Sequence, residues 1–208
     1  MKSLPQPIHQ SSLRRGQIYP RNANLGESKF LGPRLNLRNQ LAAVELNAVD
    51  RHIPIVKSLI WKDELGCQLF ASQLAAQPAL RHAFIELHGD LGAGKTTLVR
   101  HLLHALGVSG RIKSPTYAVV ESYEQPDMAI WHFDFYRFSD PREWEDAGFR
   151  DIFSSPGLKL AEWPEKAAQF IPRADLVIWI EARIDDSRVV NLITQTTRGD
   201  ALVNGATL

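Results

Sequence analysis

Ala83-Phe84-Ile85-Glu86-Leu87-His88 runs straight into Gly89-Asp90-Leu91-Gly92-Ala93-Gly94-Lys95-Thr96, and this junction decides the fold. The first six residues are mostly apolar and read as a strand. The next eight match G-x-x-x-x-G-K-[ST] in full. Leu98, Leu102, Leu103 and Leu106 then mark a helix, with Gly107 as its left-handed stop. Strand, Gly-rich turn and helix in that order are what a phosphate loop requires. Glycines without Cβ atoms let the backbone turn tightly and present N–H groups to phosphate oxygens. The helix start adds its positive dipole end. Lys95 is placed to reach β- and γ-phosphates, and the Thr96 hydroxyl to ligate magnesium.

Working outward, Ser58–Trp61 reads as a short strand, and Asp63 as the cap of a helix that ends before Pro78. On the far side, strands are expected over Tyr117–Tyr123 and Ala129–Tyr136, with a turn at Pro126-Asp127. A short acidic helix from Asp140-Pro141 to Gly148 follows, then a strand Leu158–Trp163, a helix opening at Pro164, and closing strands Leu176–Glu181 and Val189–Thr196. Strands alternating with helices predict an α/β fold: a single P-loop NTPase domain over 57–208, with a mixed β-sheet flanked by helices.

Residues 1–56 differ in kind. They hold eight Lys/Arg and three Asp/Glu, a balance of +5, whereas the rest of the chain stands at −4. Four prolines and three glycines within the first 40 residues interrupt any period, so 1–56 is expected to be a flexible basic extension. A plain disordered arm, a start codon called upstream of the true one, and a transit peptide are the three readings; sparse Ser and no amphipathic helix weigh against the last. A short helix over Leu41–Val49 fits the pattern as well. The mildly acidic body argues against broad gripping of nucleic acid through phosphates. No apolar run approaches the ~18–20 residues that span a bilayer, and the single Cys67 forms no internal disulfide. A reducing, cytoplasmic setting without membrane attachment is expected.

A phosphate loop needs a carboxylate to hold its metal, commonly at the end of an apolar strand. Asp134 ends Ala129-Ile130-Trp131-His132-Phe133-Asp134, and Glu162 ends Leu158-Lys159-Leu160-Ala161-Glu162. Both are candidates, and spacing leaves their roles open. Ser114-Pro115-Thr116-Tyr117 lies where nucleotide switches carry a Thr for the γ-phosphate and metal; an ordinary Pro turn is the equal alternative. Arg137 fits an in-built arginine finger less well than a surface salt bridge, and Lys113 and Arg111 face either phosphate or water. His88, His101, His104 and His132 show no metal-ligand spacing with Cys67. The apolar members of Phe133–Phe138 read as core. The guanine-reading Asn-Lys-x-Asp is absent, which tilts the base towards adenine.

Taken in order, Gly89-Asp-Leu-Gly-Ala-Gly-Lys-Thr-Thr97, Lys113-Ser-Pro-Thr-Tyr117, His132-Phe-Asp-Phe-Tyr-Arg137 and Glu162-Trp163-Pro-Glu165 resemble the TsaE (YjeE) family of small P-loop ATPases in bacterial tRNA threonylcarbamoyladenosine synthesis. The resemblance covers about residues 57–190 and does not extend to the arm. It implies slow, magnesium-dependent ATP hydrolysis, strengthened by the partners TsaB and TsaD, in the threonylcarbamoylation of adenosine 37 of tRNAs that read ANN codons. tRNA would be met only through that complex. Residue by residue, it implies that Lys95 binds phosphate, that Thr96, Asp134 and Glu162 form the magnesium site, that Thr116 belongs to a nucleotide-responsive loop, and that Trp163 lies near the nucleotide. Gly89, Asp90, Leu91, Gly92, Ala93, Gly94 and Thr97 complete the nucleotide-binding set. Two other classes share the core motif. A small-molecule kinase would transfer the phosphoryl group to a metabolite and need a lid, for which 137–155 is the available segment. A nucleotide-sensing module would bind without appreciable hydrolysis.

Overall fold

The computed structural model describes residues 52–206, apart from 141, 143, 145 and 146. The extension expected over 1–56, up to residue 51, and the helix over Leu41–Val49 lie outside the described residues. Seven strands form one mixed sheet: β1 (Val56–Trp61), β2 (Phe84–His88), β3 (Val120–Gln125), β4 (Met128–Asp134), β5 (Leu158–Glu162), β6 (Leu176–Ala182) and β7 (Arg188–Thr194). Their spatial order is β1-β7-β6-β2-β5-β4-β3. The four central strands, β6, β2, β5 and β4, are parallel, and antiparallel partners close both edges. In such a sheet ligands sit beyond the carboxyl ends of the parallel strands. The phosphate loop, Asp134 and Glu162 all lie at those ends.

Alternation along the central strands sends side chains to two separate cores. Ile85, Leu87, Ile130, Leu160 and Ile178 pack under α1 (Glu64–Ala75) and α2 (Lys95–Ala105). Phe84, Phe133, Ala161 and Val177 face the opposite way, into an aromatic cluster with Phe135, Phe138, Trp144 and Phe149. Phe133 lies 5.0 Å from Phe153 and meets Phe149 edge-on at 5.4 Å, and Phe135 and Phe138 are buried with it, so the apolar members of Phe133–Phe138 are core. Asp63 caps α1 by accepting the Gly66 N–H at 3.0 Å. Gly107 ends α2 in the left-handed region at φ 89, while Val108 N–H reaches back to Leu103 O, the hydrogen-bond pattern of a Schellman stop. Cys67 is buried within the first core, which pushes its thiol up to about 12, with Glu64 adding to the rise. Among the described residues, no helix is long and apolar enough to cross a membrane.

Five local expectations change. The strand expected from Tyr117 begins only at Val120, because Val119 turns into the left-handed region (φ 65) and its N–H closes a loop onto Pro115 O. The strand expected to reach Tyr136 stops at Asp134, whose carboxylate takes the Tyr136 N–H at 2.9 Å. Pro164 opens a single 3₁₀ turn to Lys166 rather than a longer helix. The chain does not end on a strand: α4 (Thr197–Gly205) follows, with Thr196 accepting the Gly199 N–H at 3.2 Å. The acidic helix expected over 140–148 falls partly on residues outside the description. Gly148, read as its stop, is instead the left-handed N-cap (φ 67) of α3 (Phe149–Ser154).

Gly89 shows why the loop cannot accept a side chain at its first position. Its φ is 133, and a Cβ there would stand 2.2 Å from the Ile180 carbonyl oxygen. Gly89→Ala is expected to cost roughly 2–3 kcal/mol of stability and to lower Tm by roughly 5–10 °C. Thermal melts of the purified variant check this, and an unchanged midpoint would mean that β6 and the loop are not in contact.

Candidate functional site

Ten residues expected from the motifs or their neighbours converge on one cavity of ≈ 240 Å³: Leu91, Gly92, Gly94, Lys95, Thr96, Thr97, Thr116, Asp134, Glu162 and Trp163 all line it. Ser114 and Tyr136 complete the wall. Gly89, Asp90 and Ala93 lie behind the lining and shape the loop from outside. The Gly89 and Asp90 carbonyls accept from Lys95 Nζ at 2.6 and 2.9 Å, and Ala93 O accepts from Arg188 Nε at 3.0 Å. The loop turns about Gly94, at φ 117, into α2. A Cβ on Gly92 or Gly94 would meet no protein atom within 4 Å. The backbone therefore curls around open space, as a phosphate cradle must.

Lys95 opens α2 and is buried. Its ammonium lies 4.0 Å from the Trp163 ring centroid, a cation–π contact. Burial holds this lysine below its ordinary value, against the opposing pull of Glu162, Glu165, Asp134 and Asp90. Trp163 adopts φ 56, which turns its ring over Lys95 and onto Tyr136, 5.0 Å away.

The two acids, 28 residues apart in the chain, are direct partners in the β4–β5 ladder. Register thus places both carboxylates on one face at one level, only 3% and 2% exposed. Thr96 Oγ1 lies 2.9 Å from both Glu162 oxygens, and His132 Nε2 lies 2.8 Å from Oε1. Asp134 is bound to the other wall: the Ser114 and Thr116 hydroxyls both donate to its Oδ2, the latter at 2.8 Å, and Tyr136 N–H caps Oδ1. The Ser-Pro-Thr loop is therefore docked on an acid of the site and is no isolated Pro turn. Arg137 stacks over Tyr117 at 4.6 Å and is not part of the lining; Lys113 and Arg111 are exposed.

The charges suit a nucleotide and a cation together. Two carboxylates face one ammonium, leaving the wall with a negative formal balance. Among the described residues, no group of three or more His, Cys, Asp or Glu is placed to hold a metal ion by itself. A hard cation between Thr96, Asp134 and Glu162 would need further oxygens from phosphate and water, as magnesium takes in nucleotide sites. The residues present fit both groups.

Sequence reasoning passed over Ser114, Tyr136 and His132. Ser114 and Tyr136 adjoin expected residues in quoted motifs, so proximity was the available signal; for His132 it was position two before Asp134, on the same strand face. The other discounted histidines have surface or structural partners. His101 pairs with Glu64 at 2.9 Å, and His104 lies 3.3 Å from Gly110 O.

His88, at the end of β2, stacks on Trp179 (4.3 Å) between Glu86 and Glu165. Burial opposes its charge, but the hydrogen bonds of Glu165 and Glu86 outweigh burial and hold His88 above its ordinary 6.5. For Glu165, burial is likewise the largest influence and works upward, yet His88 and Lys95 bring it below 4.5. His88 thus contributes stability fully below pH 6.5, lost as pH rises through its folded value. Glu165 contributes above pH 4.5, lost as pH falls through its own. The window common to both runs from about 4.5 to 6.5. In His88→Phe, which keeps the stack on Trp179, the Tm deficit relative to wild type is expected to shrink as pH rises above 6.5 and through the folded value of His88. A deficit constant over that range would sink the assignment.

Comparison with known proteins bears on the same residues. The family model "Threonylcarbamoyl adenosine biosynthesis protein TsaE" matches residues 61–190. The tRNA threonylcarbamoyladenosine biosynthesis protein TsaE of Haemophilus influenzae is 42% identical over 135 residues, covering 65% of this chain and 85% of that one. Its Bacillus subtilis counterpart is 33% identical over 118 residues, covering 57% and 73%. The crystal structure of Bacillus subtilis YdiB superposes with a TM-score of 0.59 at 23% identity, over 74% of this chain and 95% of the other, and so shares the fold. With a family model spanning the phosphate loop, both acids and most of the sheet, the chain belongs to the TsaE family.

Proposed function

We propose that this chain binds ATP with magnesium and hydrolyses it slowly, as the nucleotide-driven subunit of tRNA threonylcarbamoyladenosine synthesis. Family membership supports the role in that biosynthesis. The observation that carries the nucleotide chemistry is the meeting of Lys95, Thr96, Asp134 and Glu162 around one cavity at the carboxyl ends of the central strands.

Loop amides and Lys95 would hold the β- and γ-phosphates, the lysine leaving the Gly89 and Asp90 carbonyls to do so. Thr96, Asp134 and Glu162 would hold magnesium, which when bound neutralises charge on the phosphates. Trp163 and Tyr136 close one side of the cavity and exclude water from the lysine. Phosphoryl transfer to water depends on positioning and charge neutralisation more than on covalent chemistry. Thr116 is committed to Asp134, so the γ-phosphate side of the shell is incomplete until that loop moves, and the isolated subunit turns over slowly. A partner that draws the Ser114–Tyr117 loop over the phosphate raises the rate. By linkage it also binds one nucleotide state more tightly. A TsaB–TsaD pair is that partner, and tRNA is engaged through it. Action on adenosine 37 of ANN-reading tRNAs and a cytoplasmic setting belong to this reading, as does a flexible, non-catalytic extension over 1–56.

The test is ATP hydrolysis measured alone and with TsaB–TsaD plus tRNA. Free phosphate and ADP, at a rate raised by the pair, are expected; a phosphorylated metabolite would instead make the protein a kinase, and no turnover in either condition a binding module. Thr96→Val removes the hydroxyl while keeping the shape. It is expected to raise the magnesium concentration for half-maximal turnover roughly tenfold, about 1.4 kcal/mol. A magnesium titration that superposes on wild type would remove Thr96 from the metal site.

A further inference from the structure

His132 is completely buried, yet it does not line the cavity. It lies two residues before Asp134 on β4, on the same sheet face, and pairs in the ladder with Leu160. Ile130 and Leu160 flank it on that face, so an aliphatic side chain would continue the core there. An imidazole instead brings two polar nitrogens out of water. Nε2 meets Glu162 Oε1 at 2.8 Å, and Nδ1 has no partner among the described residues. A carboxylate oxygen only accepts, so Nε2 must donate. A proton on Nδ1 would be an enclosed donor without an acceptor, which buried sites avoid.

We propose that His132 is a positioning residue for Glu162, its Nε2–H fixing Oε1 so that the carboxylate stays aimed at Thr96 and the cavity through the nucleotide cycle. This rests on the function proposed above. Both Glu162 oxygens lean on one hydroxyl, Thr96 Oγ1, whose single proton can serve only one of them at a time. Among the described residues, the imidazole is the other side chain that hydrogen-bonds Glu162. His132 sits on a rigid central strand and shares the 0% exposure of its core neighbours Ile130 and Phe133, so it holds its bond while the opposite wall rearranges. Side chains that orient a ligand in this way typically govern activity by 10- to 100-fold without touching substrate.

The experiment compares His132→Leu, His132→Gln and His132→Met in the full chain with the partner pair. Nucleotide affinity is measured in EDTA, and kcat at saturating ATP and magnesium. Wild type is measured first: failure to bind ATP brings down the site itself, independently of His132. With wild type active, His132→Leu is expected to keep its EDTA affinity within about threefold while kcat falls about 10- to 100-fold. His132→Gln, whose amide can donate from a similar reach, should recover most of the rate, whereas His132→Met, of similar length and without a donor, should not. Unchanged kcat in His132→Leu overturns the proposal. So do equal rates for His132→Gln and His132→Met, a comparison that decides the matter even if His132→Leu does not fold.

Discussion

Lys95→Ala is expected to lose ATP turnover by roughly 10²–10³-fold, the scale on which removing one preorganised stabiliser of developing charge acts. The ammonium rests on the Gly89 and Asp90 carbonyls and under the Trp163 ring. It is poised beside the cradle, and burial has already stripped most of its water. A cation in that state interacts with phosphate more strongly than one in bulk solvent. Affinity should fall too, by about 1.5–3 kcal/mol for a lost charged hydrogen bond. Two loop carbonyls also lose their donor, so a melt must accompany the assay; a folded variant with intact partner-stimulated hydrolysis would refute the site.

The second large effect is that of Glu162→Gln. The substitution keeps the length of the side chain and an oxygen to accept from Thr96 or His132, but it removes the charge. Loss of roughly 10²–10³-fold in kcat is expected, with nucleotide affinity in EDTA preserved, because the carboxylate meets Thr96 and His132 and not the loop amides. Asp134→Asn should also impair magnesium-dependent turnover, and in addition loosen the Ser114–Thr116 loop that donates to it. Since the two acids are ladder partners, the double variant should fall short of the sum of the single losses. Normal magnesium titrations in both single variants would reduce the acids to strand ends.

Much of this is legible in the sequence alone. The loop, the strand ahead of it and the helix behind it are local: residues close in sequence select φ values, caps and amphipathic faces through short-range sterics and hydrogen bonds. Asp63 and Gly107 announced helix ends by the same logic. The misread segments have equally physical causes. Val119 belongs to a β-favouring type, so nothing local marks it as left-handed; the bond from its N–H to Pro115 O and the docking of the loop on Asp134 hold it there. The α4 start carried a usable signal, Thr196 followed by an acid in the first turn, obscured by the preceding β-branched run. Gly148 looked like a stop because left-handed glycines more often end helices than begin them.

Chain chemistry alone therefore determined that a phosphate cradle exists, where it begins, and which acids were candidates to face it. Only the tertiary structure decided that Asp134 and Glu162 stand side by side, that Ser114 and Thr116 close on one, and that Thr96 and His132 grip the other. Those facts depend on the pairing of β4 with β5 and on which face of the sheet α2 covers. Such contacts join residues tens of positions apart through register and packing, and a period or motif confined to one segment carries no trace of its distant partner.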